Sequence, residues 1–339
     1  MIAFVLGTRP EITKLSPLIA RIPQEQRQVI WTGQHWSESL LGDELWAAVS
    51  RNHLLSVPIG IDMGCTRNEL DRLSLLVEWL NGSLPQKHLR WLVVLGDTTS
   101  ALAGALAGAK LGIPVYHVEA GSRSGDRSQP EELNRKLIDQ CATGHAHSYH
   151  CDGTNLEREG IRSSFWSGEI AIEPLIGVKA EPGSEIIVTI HRAETLNDPQ
   201  ALGGITQFLR ELAEDHHVAF YCHPHTAQVL PVMMGNVVVR NPLPPSEFRD
   251  ALRKASSVVT DSGGVAIEAA YLGVPCVIAR EVTELADLVE CGRIIVGGRT
   301  AQSLWQALAV AQRDAPLSEK VQHAWQGQAS EHIAERLMA

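Results

Sequence analysis

Residues 91–119 read WLVVLGDTTSALAGALAGAKLGIPVYHVE. An unbroken apolar run at 91–95 ends in Gly96-Asp97, a stretch of small residues reads as a helix over 99–111, and a second apolar run follows at 115–119. Short apolar strands separated by a helix mark a parallel sheet covered on both faces. The same alternation extends outward in both directions. Strands are predicted at 2–6, 28–31, 186–190, 218–221, 237–240, 257–260 and 276–279, with helices at 11–21, 37–49, 67–80, 131–143, 199–214, 264–272 and 301–313. The fold class is α/β, with doubly wound sheets.

A length of 339 residues is about twice a typical single domain, so two domains are expected. The alternation breaks at 168–184, GEIAIEPLIGVKAEPGS, where prolines and glycines interrupt any periodicity. The expected organisation is a domain at 1–167, a linker at 168–184, a second domain at 185–316 and a polar helical segment at 317–339. A formal charge of −10 argues against a sequence-independent nucleic-acid partner, which needs a basic face. Cys65, Cys141, Cys151, Cys222, Cys276 and Cys291 show no C-x-x-C pair, so they read as reduced residues and neither a disulfide frame nor a zinc site. The apolar start at 1–7 is too short for a signal h-region and no run is long enough for a membrane span, so a cytoplasmic protein without a membrane partner is expected.

Ligands of doubly wound sheets bind beyond the carboxyl ends of the strands, and the informative residues cluster there. Gly7-Thr8-Arg9-Pro10-Glu11 follows the strand at 2–6, with Lys14 on the next helix. Arg9, Lys14 and the N–H groups of that helix N-terminus suit an anion, although a capped helix with surface cations has the same pattern. Gly96-Asp97 ends one strand and Glu119-Ala-Gly121-Ser-Arg123 ends another, while Pro130-Glu131-Glu132-Leu-Asn134-Arg135 opens a helix. Asp97, Glu119 and Glu131 brought together would push their pKa values apart and suit acid–base work, whereas singly each reads as a helix cap or a surface carboxylate.

In the second half, His191-Arg192-Ala-Glu194, then Cys222-His223-Pro224-His225, then Asp261-Ser262-Gly263-Gly264 follow strands, with Glu268 one turn further on. Ser262-Gly263-Gly264 at a strand-to-helix junction suits a diphosphate, and Glu268 suits ribose hydroxyls. The His145, His147, His150 and Cys151 spacing reads as scattered histidines on a β segment and not as a metal site. No nicotinamide or Walker fingerprint occurs at these turns, and no cofactor or metal is expected.

Taken in order, GTRPE with Lys14, TGQH at 32–35, GDTTS, VEAGSR, PEELNR, HRAET, His223-Pro224, DSGG with Glu268, and Thr283-Glu284 resemble the non-hydrolysing UDP-N-acetylglucosamine 2-epimerases. The resemblance implies a GT-B fold, two Rossmann-like domains about a central cleft with the C-terminal helix crossing back to the first. It implies interconversion of UDP-GlcNAc and UDP-ManNAc by loss and return of UDP through 2-acetamidoglucal, as a step supplying a surface polysaccharide or cell wall. By the same resemblance Asp97, Glu119, Glu131, His223 and Lys14 form the catalytic set. Arg9, Arg123, Arg135, His191, Arg192, Ser262, Gly263, Gly264 and Glu268 bind the UDP-sugar, and the protein is a homodimer. It leaves open which carboxylate serves which face of C2.

The sequence departs from the family pattern in several places. Val265-Ala266-Ile267-Glu268 replaces [IV]-Q-E-E, Thr283-Glu284-Leu285-Ala286-Asp287 lacks the usual arginine, and the loop from Glu119 to Glu131 is two residues short. Met63-Gly64-Cys65 stands where the family's allosteric P-G-Q element belongs. The substrate periphery is therefore altered, and a modified UDP-HexNAc remains an alternative. So do a hydrolysing enzyme releasing ManNAc and UDP, an ordinary GT-B glycosyltransferase, and a non-catalytic nucleotide-sugar sensor. GTRPE and DSGG point away from the hydrolysing pattern, and the carboxylate set points away from the last two.

Overall fold

The computed structural model describes residues 1–34, 54–56, 68–84, 88–181, 183–222, 226, 235–311 and 313–339. The helix expected at 37–49, His35, His53 and the Met63-Gly64-Cys65 element lie outside them. The chain forms two units, 1–173 with 326–339, and 174–325.

Strands β1 (Ile2–Leu6), β2 (Arg27–Trp31), β3 (Leu54–Ser56), β4 (Trp91–Leu95), β5 (Val115–Val118), β6 (Gly144–His147) and β7 (Ser164–Trp166) build the first unit's sheet. Their order is β3-β2-β1-β4-β5-β6-β7 and every pairing is parallel. Its helices are α1 (Arg9–Arg21), α2 (Glu69–Ser83), α3 (Thr99–Leu111), α4 (Pro130–Cys141) and α5 (His150–Arg158). Successive side chains of β1 point to opposite faces. Phe4 and Leu6 pack with Leu15 and Leu18 of α1, and Ala3 and Val5 with Leu76 of α2 and the alanines of α3.

The second unit repeats the plan with β8 (Glu185–Thr189), β9 (His217–Tyr221), β10 (Val238–Arg240), β11 (Ser257–Thr260), β12 (Cys276–Ile278) and β13 (Ile295–Val296). The parallel order is β10-β9-β8-β11-β12-β13. Helices are α6 (Ala193–Leu196), α7 (Pro199–Asp215), α8 (Pro245–Arg253), α9 (Gly263–Tyr271), α10 (Ala286–Glu290), α11 (Ala301–Val310) and α12 (Glu319–Ala324). Phe208 and Leu212 of α7 and Leu304 of α11 meet Val188, Phe220 and Val277 in one core.

The last helix, α13 (Ala329–Met338), belongs to the first unit: Ile333 and Leu337 are buried with Leu15, Leu18 and Phe4. The segment 317–339 is thus two helices, one in each unit. Within 168–184, a short 3-10 helix at Ile170–Leu175 buries Ile170 among the core residues of the first unit.

Each sheet reverses its strand order at one place, between β1 and β4 and between β8 and β11. At such a switch point the connections leave to opposite faces and open a crevice at the carboxyl ends of the strands. Arg9 and Asp97 follow the two strands of the first switch, and His191 and Asp261 those of the second. Among the described residues no helix is long and apolar enough to cross a membrane.

Candidate active site

Three of the sequence motifs interlock at the first switch point. The Thr32 hydroxyl lies 2.6 Å from that of Ser100, and the Gln34 Oε1 accepts from the Ser100 amide at 3.0 Å and its hydroxyl at 2.7 Å. A Cβ on Gly7 would fall 2.0 Å from Ser100 Oγ, so only glycine lets the β1 and β4 loops approach this closely. Glu11, fully buried, accepts from the Gly7 and Thr8 amides at 2.8 and 2.6 Å and from the Thr8 and Thr98 hydroxyls at 2.8 Å each. The Gly7 and Thr8 amides precede the helix, and the Thr8–Glu11 contact is one half of a capping box. Burial raises the Glu11 pKa, and those four donors oppose the rise.

Lys14 points from α1 toward the end of β5, where its ammonium donates to Glu119 Oε1 at 2.6 Å. Burial disfavours its charge, but Glu119, Glu169 and Asp97 outweigh that and hold its pKa above the ordinary lysine value. Asp97 is gripped by α4: Arg135 donates Nε and Nη2 to Asp97 Oδ2 at 2.9 and 2.6 Å, and the Asn134 amide donates to the Asp97 carbonyl at 2.9 Å. Arg135 also pairs with the buried Glu132 at 3.2 Å. Glu131 occupies the first turn of the same helix and is half-buried. Glu119 leaves its strand with φ +64, a conformation rare for any residue but glycine. This is why β5 stops one residue short of the predicted 115–119.

Arg123 is drawn into a different set of contacts. Its guanidinium donates to Asp139 at 2.7 Å and to Glu159 at 2.6 and 3.0 Å, and its side chain is 8% exposed. Asp139 in turn accepts from the Gly121 amide at 3.1 Å and lies 2.6 Å from Nδ1 of His117.

In the second unit, the buried Asp261 carboxylate accepts from the His191 amide at 3.0 Å and the Arg192 amide at 2.9 Å, and the Arg192 Nε donates to the Asp261 carbonyl at 3.0 Å. The β8 and β11 loops are thereby tied together at the switch. Ser262 caps α9, its hydroxyl accepting from the Val265 amide at 3.5 Å. A Cβ on Gly263 would come within 2.7 Å of Glu284 Oε1, whereas one on Gly264 would meet nothing within 4 Å. Glu268 pairs with Arg249 at 2.9 Å, and Glu284 with Arg280 at 3.1 Å. His223 and His225 lie outside the described residues.

Glu169 is not among the residues the motifs single out. Its side chain is 1% exposed, the Ala171 amide donates to its Oε1 at 2.9 Å, and burial, then repulsion from Glu119, push its carboxyl up to about 7. It stands in a Pro/Gly-rich stretch without periodicity, which carries no signal for a site. His117 and Asp139 carry no sequence signal either, because a histidine inside an apolar strand and an aspartate four residues past an arginine look ordinary. Among the described residues no three His, Cys, Asp or Glu side chains are placed to hold a metal ion. His145 bonds the Asp139 carbonyl at 2.8 Å and His147 stacks on Trp166.

The model of the UDP-N-acetylglucosamine 2-epimerase family matches residues 19–338. A UDP-N-acetylglucosamine 2-epimerase of Methanocaldococcus jannaschii is 32% identical over 91% of each chain. A UDP-2,3-diacetamido-2,3-dideoxy-D-glucuronate 2-epimerase of Pseudomonas aeruginosa is 31% identical over 98% of each. The crystal structure of the M. jannaschii UDP-GlcNAc 2-epimerase in complex with UDP-GlcNAc and UDP is similar at a TM-score of 0.86 and 28% identity, with 99% of both chains covered. The fold is therefore of the GT-B type, a chain of two Rossmann-like units.

Proposed function

This chain belongs to the UDP-N-acetylglucosamine 2-epimerase family, and from that premise we propose that it inverts C2 of a UDP-N-acetylhexosamine without hydrolysing it. UDP-GlcNAc, with UDP-ManNAc as product, is the first substrate to consider. The observation that carries the reading is the Lys14–Glu119 ion pair beside Asp97 at the first switch point, a cation balancing carboxylates where strand ends converge. One carboxylate takes the C2 proton, the C2–H electrons form the C1–C2 double bond, and the C1–O bond breaks toward UDP. A second carboxylate returns a proton to the other face of C2, and the UDP oxygen adds back to C1. Asp97, Glu119 and Glu131 supply these proton transfers, each contributing on the scale of about 100- to 10,000-fold.

Lys14 keeps the set near charge balance. Arg9, His191, Arg192, Ser262, Gly263 and Gly264 bind the UDP-sugar, with His223 assisting at the diphosphate and Glu268 at the ribose, while Arg135 acts through Asp97. Arg249 already occupies Glu268, so ribose binding exchanges or shares that partner. Arg123 acts through Asp139 and Glu159 instead of touching substrate.

A second reading concerns the sugar. The diacetamido-glucuronate enzyme of P. aeruginosa is as similar to this chain as the M. jannaschii UDP-GlcNAc enzyme, and the family's Gln and Glu are replaced by Ala266 and Ile267. NMR of the protein turning over each of the two sugar nucleotides in deuterated buffer separates the readings. Deuterium at C2 with the inverted product and intact UDP linkage is expected for one of them, and Asp97→Asn should lower that rate at least about 100-fold. Free ManNAc as the main product would replace the proposal with hydrolysis. No exchange with either compound would refute it.

A further inference from the structure

His117 faces acceptors with both ring nitrogens. It lies in β5, its side chain fully buried, with Nε2 2.8 Å from the Gly96 carbonyl and Nδ1 2.6 Å from Asp139 Oδ1. A carbonyl cannot donate a hydrogen bond, so Nε2 carries a proton. The other oxygen of Asp139 already accepts from the Gly121 amide and from Arg123. Burial alone would raise the Asp139 carboxyl, but His117 and Arg123 hold it down at about 2. With the Arg123 guanidinium and the Gly121 amide both donating to it, Asp139 acts as a carboxylate acceptor, and Nδ1 donates to its other oxygen.

The pair joins the two loops that carry the acid–base carboxylates. Gly96 immediately precedes Asp97, and Gly121 follows Glu119 by two residues. Gly121 has φ +82, and a Cβ there would sit 2.3 Å from the Asp152 carbonyl, so this loop is pressed against α5. Glu119 holds φ +64, which persists only where the surroundings determine it. Arg123, bridging Asp139 to Glu159 of the residue just past α5, closes the chain of contacts. Meanwhile the helix that bears Asp139 also bears Asn134 and Arg135, which hold Asp97.

We propose that the buried His117–Asp139 pair is a positioning device. It clamps the β4 loop through the Gly96 carbonyl and the β5 loop through the Gly121 amide, and so sets Asp97 and Glu119 relative to each other. Neither His117 nor Asp139 touches substrate. The assignment rests on the acid–base role proposed above for Asp97 and Glu119.

The full-length protein, labelled with 15N in its histidine rings, tests the pair independently of turnover. Wild type should show one histidine with two ring N–H protons shielded from solvent, absent in His117→Gln. Kinetics of C2 deuteration then test the consequence. His117→Phe and Asp139→Ala should lower kcat on the order of 100-fold, the scale of a misplaced catalytic group, with KM within about threefold. Asp139→Asn can accept from Gly121 and Arg123 through Oδ1 and donate its amide to a neutral His117, so it should keep kcat within about tenfold while one ring N–H signal disappears. Circular dichroism confirms folding, and His117→Gln carries the test if His117→Phe does not fold. A kcat near wild type in folded His117→Phe or Asp139→Ala overturns the clamp, and so does a buried His117 with a single ring proton. A wild type that deuterates no UDP-sugar instead refutes the functional reading, and the ring-proton result still decides the pair.

Discussion

Glu169 shows what burial does to a single carboxylate. Its folded pKa is raised from 4.5 to about 7 by desolvation and by Glu119, against the pull of Lys14. A raised pKa means the folded state holds the proton that the unfolded chain releases, so stability falls as pH climbs from about 4.5 through about 7. Glu169→Gln removes that loss. Its melting temperature should exceed wild type at pH 8, by up to the equivalent of about 3 kcal/mol, and converge on it at pH 4. Equal melting temperatures at pH 8 would mean that Glu169 is ionised there without penalty. Asp97 and Glu119 were legible because apolar runs announce the strand ends that carry them, and Lys14 and Arg135 through the GTRPE and PEELNR motifs that lead onto their helices. Glu169 was not, since its environment comes from Ser148, Lys14 and Glu119, all distant in the chain from the Gly-Glu that carries it.

Helix α3 is made of small residues because it lies against three strands. A Cβ on Gly108 would come 2.6 Å from Val115 Cγ2 and 3.0 Å from Leu92 Cδ2, and one on Gly104 3.0 Å from Val94 Cγ1. Gly-to-Ala in a helix interior ordinarily stabilises by about 1 kcal/mol, but overpacking costs about 1–3 kcal/mol. Gly108→Ala should therefore lower stability by about 1 kcal/mol in urea unfolding, and a gain would show that α3 can lift from the sheet. The expected strands at 2–6, 91–95 and 257–260 match β1, β4 and β11 because each is a buried apolar run. β6 falls on the β segment read at His145 and His147, whereas His150 and Cys151 open helix α5 instead, and β13, Ile295-Val296, is too short to stand out and is a strand by pairing with β12. Helices α5 and α8 went unpredicted for a similar reason, their polar faces dominating short segments.

At the scale of the molecule, the chain's end completes its beginning. Ile333 and Leu337 of α13 share a core with Phe4, Leu15 and Leu18, and Arg21 donates to the Ser330 hydroxyl at 2.9 Å. Glu173 receives the Ser330 amide and hydroxyl at 2.6 Å each, tying the entry into the second unit to the return from it. Ile333→Ala should cost about 2–5 kcal/mol and lower the fraction of active enzyme in parallel. An unchanged urea midpoint would show that the first unit does not need α13.

The α/β class, the strand ends that bear Arg9, Asp97, Glu119 and Ser262, and the family pattern of motifs are legible in the chain before it folds. These follow from local periodicity and from residue types at short spacing, which the chain carries in order. Folding in three dimensions alone brings Glu169 to Lys14 and Glu119, and sets His117 and Asp139 between Gly96 and Gly121. Those contacts join residues far apart in the chain, and burial sets their charge, so neither spacing nor composition records them.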